Sequence, residues 1–224
     1  MVDARQIVFG KIANALNDGH EQGWLPSEPP DPINWSPEEA RCLNESPADT
    51  LWEEFARSIE ALGDSAHRFP KAEEARDHIA AMVKDRDLGG GVIEEDAHDF
   101  LQIAADSNPF EHLKLSKEGR DTIFESGFGI TLVDAAVAET GSLAITASSG
   151  RSRLASLAPH VHFAVFSIDR LLPDLVDLVA FQNQEKYNHQ MWTWITGSSR
   201  TADIDGILIR GAHGPKELVA ICIG

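Results

Sequence analysis

From Ala48 onward the chain alternates short apolar runs with stretches of helical period. That alternation restricts it to layered α/β folds containing parallel strand pairs. Asp49 stands where it can cap a helix through Leu62, whose apolar side carries Leu51, Trp52, Phe55, Ile59 and Leu62. A short strand near Ala66–Phe69 follows, then a helix from Lys71 to about Asp85. Gly89-Gly90-Gly91 leads into a strand at Val92-Ile93, a helix runs from Asp96 to Ala105, and another short strand lies around His112–Leu115.

The second half changes character. Gly129–Leu132 and Ala135–Ala138 read as strands leading to a turn at Glu139-Thr140-Gly141, from which Ser142–Thr146 returns as a strand. Ser148–Leu157 is a loop opening into a short helix, Val161–Phe166 an apolar strand, and Pro173 opens a helix through about Gln182. Trp192–Ile195 is a strand, and Gly206–Arg210 and Leu218–Ile223 are expected to form the arms of a final hairpin.

Ahead of this region, Val2 to Leu16 has helix-like spacing (Ile7, Val8, Ile12, Leu16) and stops at Asn17 and Gly19. Pro26, Pro29, Pro30, Pro32, Pro37 and Pro47 then leave little room for helices or central strands, which predicts an extended arm that docks through Trp24 and Trp35. The expected division is a helix and proline-rich arm over 1–47 and one domain over 48–224. At 42% hydrophobic, 224 residues suffice for such a domain plus an appendage.

Charge and cysteine content narrow the function classes. A formal net charge of −17 repels nucleic acid and anionic lipid, although a few local Arg or Lys residues can still form an anion pocket. The start, Met1-Val2-Asp3-Ala4-Arg5-Gln6, lacks the apolar core of a secretory signal, and no apolar stretch is long enough to cross a bilayer. Cys42 and Cys222 form no CxxC pair, which argues against a disulfide framework or an iron–sulfur site within the chain. The expected setting is cytoplasmic, with neither nucleic acid nor membrane as partner.

Three polar loops carry the candidate chemistry. Glu139-Thr140-Gly141 places a carboxylate and a hydroxyl at the rim of a sheet, with Gly141 permitting a close approach, although ordinary turns look the same. Thr196-Gly197-Ser198-Ser199-Arg200-Thr201-Ala202-Asp203 can be read two ways: as a capped loop with a short helix after it, or as an anion grip. In the second reading hydroxyls and one guanidinium suit a carboxylate or phosphate, Asp203 orienting Arg200. The Walker spacing is absent. Gly211-Ala212-His213-Gly214-Pro215-Lys216 is a turn stiffened by Pro215, holding His213 near a sheet end as an anion donor or acid/base group. Two lesser features are His160-Val161-His162, a possible metal pair with no third ligand nearby, and Glu94-Glu95-Asp96, which suits a helix start.

In order and spacing these segments resemble the LUD-domain family, lactate-utilization protein C among it. The resemblance lies in Gly129-Ile130-Thr131-Leu132-Val133-Asp134 through Glu139-Thr140-Gly141, Arg153-Leu154-Ala155-Ser156-Leu157-Ala158-Pro159, His162-Phe163-Ala164-Val165, Thr196 through Ile204, and His213-Gly214-Pro215-Lys216-Glu217-Leu218. It is close from about Gly127 to Gly224 and looser back to about Ala48. Ser198-Ser199 departs from the family's commoner Gly-Pro-Ser run.

The resemblance implies a three-layer α/β sandwich like that of ribose-5-phosphate isomerase, CoA transferase and formyltetrahydrofolate cyclo-ligase relatives. It also implies participation in oxidising L-lactate to pyruvate alongside separate iron–sulfur subunits. Lacking a cysteine cluster and a Gly-x-Gly-x-x-Gly fingerprint, the chain is expected to hold no metal or redox cofactor of its own and to act as an accessory or substrate-handling component. The alternative is a free-standing enzyme or ligand-binding module for a small carboxylate or phosphate ester. In either case Thr140, Gly141, Ser199, Arg200, Thr201 and Asp203 are the expected binding residues, and in the enzyme reading Glu139 or His213 is the catalytic residue that moves a proton.

Overall fold

The computed structural model describes residues 14, 46–103, 113–116, 119–147, 151–184, 191–202 and 208–224. The chain separates into two compact units, Met1–Ser36 and Pro37–Gly224, and the second carries the α/β fold. The helix expected over Val2–Leu16, the arm with Trp24 and Trp35, and His112 lie outside the described residues, Asn14 apart.

Helix α1 (Ala48–Ala61) buries Leu51, Phe55 and Ile59, one apolar stripe at four-residue spacing. Its first turn departs from expectation. Pro47 holds the cap position, and the Leu51 N–H bonds the Pro47 carbonyl at 3.1 Å. Asp49 therefore falls inside the first turn, where its carboxylate takes Arg68 Nη1 at 2.6 Å instead of capping. Strand β1 (Ser65–Phe69), helix α2 (Ala72–Asp85), strand β2 (Gly91–Ile93), helix α3 (Glu95–Phe100) and strand β3 (Leu113–Leu115) follow. Next come α4 (Arg120–Phe124), β4 (Phe128–Leu132), β5 (Ala135–Val137), β6 (Ser142–Ala147), α5 (Leu154–Leu157) and β7 (Val161–Ser167). The chain ends with β8 (Leu171–Leu172), α6 (Leu175–Gln182), β9 (Met191–Thr196), β10 (Arg200–Ala202), β11 (Leu208–Arg210) and β12 (Glu217–Ile223). Asp174 caps α6, accepting the Val176 and Asp177 N–H groups at 2.8 and 2.9 Å, so Pro173 stands just ahead of the cap.

Six strands form one parallel sheet in the order β1-β12-β7-β4-β2-β3. The alternation of side chains sorts its residues into two cores. Ile93, Phe128, Ile130, Phe163, Val165, Val219 and Ile221 pack against Ala75 and Ile79 of α2 and Ala97 of α3. On the other face, Ala164, Phe166, Leu218, Ala220 and Cys222 meet α1 and the inner side of a second sheet, while Val92 meets Ile123 of α4 and Ala155 of α5. The second sheet runs β8-β5-β6-β9 and is mixed; its far side is covered by α6 through Leu178. The result is the expected α/β sandwich of three layers around a large parallel sheet. Among the described residues no helix is long and apolar enough to cross a membrane.

The ending of the chain differs from the expected hairpin. β12 pairs in parallel with both β1 and β7, and β11 pairs with β10 instead. Leu218 through Cys222 is apolar at every position and fully buried, which is the pattern of an interior parallel strand with no solvent face. The segment after Ser199, which the sequence offers as a helix start, is the first arm of the β10–β11 hairpin.

Gly129 sets how closely β4 and α5 approach. A Cβ on Gly129 would stand 2.0 Å from the Ala155 carbonyl oxygen, so β4 and the backbone of α5 touch where no side chain fits. Gly129→Ala is expected to lower stability by about 3 kcal/mol, near the upper end for overpacking. A urea unfolding midpoint equal to that of the unsubstituted protein would contradict this contact.

Candidate functional site

The site is built at the amino ends of β7 and β12, where two loops are stitched together. Asp64, buried in the turn after α1, accepts the Ser198 N–H at 2.7 Å on one oxygen and the Leu218 N–H at 3.1 Å on the other. It thereby ties the β9–β10 loop to the first residues of β12. Gly197 turns that loop at a φ of 79°, and a Cβ there would approach Asp64 Oδ2 to 3.2 Å. The Ser199 N–H bonds the Pro215 carbonyl at 2.9 Å, the Gly211 N–H bonds the Ser199 carbonyl at 2.9 Å, and the His213 N–H bonds Ser199 Oγ at 3.2 Å. The loops 197–199 and 211–216 therefore form one unit.

Between this unit, β9 and α5 lies a cavity of about 310 Å³. Its polar lining includes Ser156, His162, Ser198, Ser199, Arg200 and His213, and its apolar lining includes Leu157, Trp194, Ile195, Pro215 and Leu218. Three features give it chemical character. Ser198 is 8% exposed, and its Oγ is buried without a hydrogen-bond partner, a cost normally offset by a bound group. Arg200 is exposed, and no described carboxylate stands within ion-pairing distance of it. His162, 1% exposed, shares a 2.8 Å hydrogen bond between its Nε2 and Thr131 Oγ1. Burial pushes its pKa down to about 3, so it presents a neutral imidazole whose ring is fixed by Thr131.

The structure brings only part of the sequence-derived set together. Ser199, Arg200 and His213 line the cavity. Thr140 reaches the wall at two removes: its hydroxyl donates to Ser142 Oγ at 2.8 Å, and Ser142 shares a 2.7 Å bond with Thr196, a lining residue. Glu139 and Gly141 do not line it. Their turn docks on α1, where the Ser58 hydroxyl donates to the Ala138 and Glu139 carbonyls at 2.9 and 3.2 Å. Gly141, at φ 64°, lets the turn pack so closely that a Cβ would lie 3.0 Å from the Ile59 nitrogen. Thr201 pairs across the hairpin with Ile209 and does not line the cavity, and Asp203 lies outside the described residues.

Two further residues acquire meanings that differ from their sequence reading. His160 precedes β7 and is exposed while His162 is buried, so the two imidazoles do not share a strand face. Among the described residues no group of three His, Cys, Asp or Glu side chains is placed to hold a metal ion. Glu94 caps α3 only through its backbone position, with no side-chain cap bond. Its carboxylate turns inward instead and accepts the Leu132 N–H at 3.2 Å.

Glu94 belongs to a buried cluster at the opposite, carboxyl ends of β2 and β4, centred on Arg151. Arg151 Nη1 donates to Asp134 Oδ1 at 2.8 Å and to Thr146 Oγ1 at 2.9 Å, and Nη2 donates to the Leu132 carbonyl. Its Nε faces Glu94 at 3.5 Å and Asp96 at 3.8 Å. Asp134 Oδ2 also accepts the Thr146 N–H and hydroxyl at 2.7 and 3.0 Å. With all three guanidinium nitrogens engaged, Arg151 latches the second sheet onto the first. Burial pushes Glu94 up to about 7 even though Arg151 and the Leu132 N–H oppose the shift, and the nearby Asp134 charge adds to it.

Comparison with known proteins gives the fold and sequence a family. The chain is 34% identical to lactate utilization protein C of an Exiguobacterium species over 46% of this chain and 47% of that protein. It is 24% identical to lactate utilization protein B 1 of Bacillus mycoides over 77% of this chain and 50% of that one. The chain thus spans about half the length of the curated relatives it matches. A crystal structure of a DUF162 family protein from Deinococcus radiodurans shares the fold, with a TM-score of 0.57, 17% identity, and coverage of 80% of this chain and 99% of that one. The model of the LUD domain matches residues 52–223, through both cavity-forming loops and the Arg151 cluster, and the chain belongs to the LUD domain family.

Proposed function

We propose that this chain is an accessory component of L-lactate utilization, in which lactate is oxidised to pyruvate and separate iron–sulfur subunits carry the electrons. The cavity beside Arg200 is where it holds a small organic anion, and the cytoplasm is where it works. The names of the relatives support the metabolic role. Cys222 is buried in β12, and burial pushes its thiol up to about 12.

The observation that carries the binding reading is the pairing of Arg200, free of any described carboxylate, with the orphaned Ser198 hydroxyl in one cavity. A guanidinium takes a carboxylate or phosphate through two parallel N–H donors. Ser198 Oγ and the neutral His162 then meet the uncharged oxygens of the ligand. His213 supplies an exposed imidazole able to move a proton at the ligand. Glu139 and Thr140 serve this site by holding the β5–β6 turn, and thereby the Ser142–Thr196 wall, against α1.

Calorimetric titration with lactate, pyruvate and glycerol 3-phosphate tests the site. At least one is expected to bind, and Arg200→Ala is expected to weaken it by about ten- to a hundredfold, the effect of losing hydrogen bonds to a charged group. Undiminished affinity in the variant, or no heat from any of the three at millimolar concentration, removes the site. The partner reading is tested by co-expression with the iron–sulfur subunits, and a chain that purifies alone counts against it.

A further inference from the structure

Arg200 does not act alone. In the β10–β11 hairpin it stands directly across from Arg210. Like charges at opposed positions repel, and nothing in the ladder requires them there. Both side chains nevertheless turn toward one place. The point where a Cβ would stand on Gly63 lies 2.7 Å from Arg210 Nη2 and 3.1 Å from Arg200 Nη2. Gly63 itself, at φ 72°, leaves that space open, and its carbonyl accepts Arg210 Nη1 at 3.2 Å, which steers the second guanidinium inward. No described carboxylate neutralises either one. Asp64, the next residue in the chain, has both oxygens engaged by the Ser198 and Leu218 N–H groups.

Resting on the reading of Arg200 as an anion anchor, we propose that Arg200 and Arg210 together hold the phosphoryl group of a small phosphate monoester, whose body enters the cavity toward Ser198. Two adjacent forks match a group with three acceptor oxygens and a charge near −2 at neutral pH better than they match a carboxylate, which carries one charge. Arg200 lines the cavity and Arg210 does not, so the phosphoryl group lies at the outer end of the site. The inner end offers the orphaned Ser198 Oγ, more than nine-tenths buried, to a hydroxyl or carbonyl of the ligand. At about 310 Å³ the cavity reaches the range of ligand pockets, about 300–1,000 Å³, and has more room than a three-carbon acid fills.

The test uses the full chain, with glycerol 3-phosphate and pyruvate as probes, and circular dichroism to verify that each variant is folded. Glycerol 3-phosphate is expected to bind at least about tenfold more tightly than pyruvate. Arg210→Gln is expected to cost the phosphate ester at least about tenfold while leaving pyruvate within about twofold, whereas Arg200→Gln weakens both. Arg210→Lys, which keeps the charge and loses the fork, is expected to recover part of the phosphate ester affinity. If Arg200→Gln weakens binding and Arg210→Gln leaves glycerol 3-phosphate unaffected, the phosphoryl assignment falls and the anion site stands. The same holds if pyruvate binds and glycerol 3-phosphate does not. If neither arginine matters to either probe, both fall.

Discussion

Replacing Arg151 with methionine is expected to destabilise the protein by about 3–5 kcal/mol, the usual cost of breaking a buried ion pair from one side. The substitution keeps most of the side-chain volume, so the loss comes from charge and not from a void. Asp134 would retain only its Thr146 bonds, and Glu94 only the Leu132 N–H. The Leu132 carbonyl would lose its donor as well. Because Arg151 joins the end of β4 to the β5–β6 region, the damage should extend to the attachment of the second sheet. Urea unfolding monitored by tryptophan emission measures it, since Trp192 and Trp194 lie in that sheet. Adding Asp134→Asn and Glu94→Gln to Arg151→Met should return a large part of the stability by removing the stranded charges. A single variant as stable as the parent would mean that the latch is not closed in solution.

Stability should also fall by roughly 3 kcal/mol as pH rises from about 4.5 through 7, owing to Glu94 alone. Its pKa is pushed from an ordinary 4.5 to about 7, chiefly by burial. The folded state therefore keeps a proton that the unfolded chain releases. The stabilisation is complete below about pH 4.5 and is lost as pH climbs through 7. At only 1% exposure, solvent does little to soften the effect. Two histidines act with the opposite sign. Burial, with the Arg86 charge nearby, lowers His67 and His78 below 6.5, so their contribution is present above that pH and is lost as pH falls. The informative quantity is the difference between the unsubstituted protein and Glu94→Gln, in which only the Glu94 titration is missing. That difference should grow in favour of the glutamine from pH 5 to pH 8. A flat difference would place Glu94 in an ordinary, solvated environment.

In the linear sequence both Arg151 and Glu94 look like ordinary surface groups. Glu94 sits in the acidic run Glu94-Glu95-Asp96, and Arg151 follows the tract Ala147-Ser148-Ser149-Gly150. They meet across 57 positions only because β2 and β4 are neighbours in the parallel sheet. His162 is equally obscured. The alternation of β7 assigns it the same face as Ala164 and Phe166, but sequence alone does not say that this face opens onto a cavity at one end of the strand. The Arg200–Arg210 pair is hidden for a different reason. The apolar run after Lys216 looks like the hairpin partner of Gly206–Arg210, which removes Arg210 from the side of Arg200.

The residues in their linear order dictate the set of elements and the layered class, because periodicity is a local property. The spacing of Leu51, Phe55 and Ile59 demands a helix with one buried side, and the apolar blocks at Val161–Phe166 and Leu218–Ile223 demand strands screened from water. The loops around Ser199, Arg200 and His213 are legible at the same level. The order of strands, the placing of β12 between β1 and β7, and the meeting of particular polar loops emerge only in three dimensions. Strand pairing and the compensation of buried charge are settled between segments far apart in the chain. Asp64 reaches Ser198 across 134 positions and Leu218 across 154, and without that junction the two cavity loops are merely two turns.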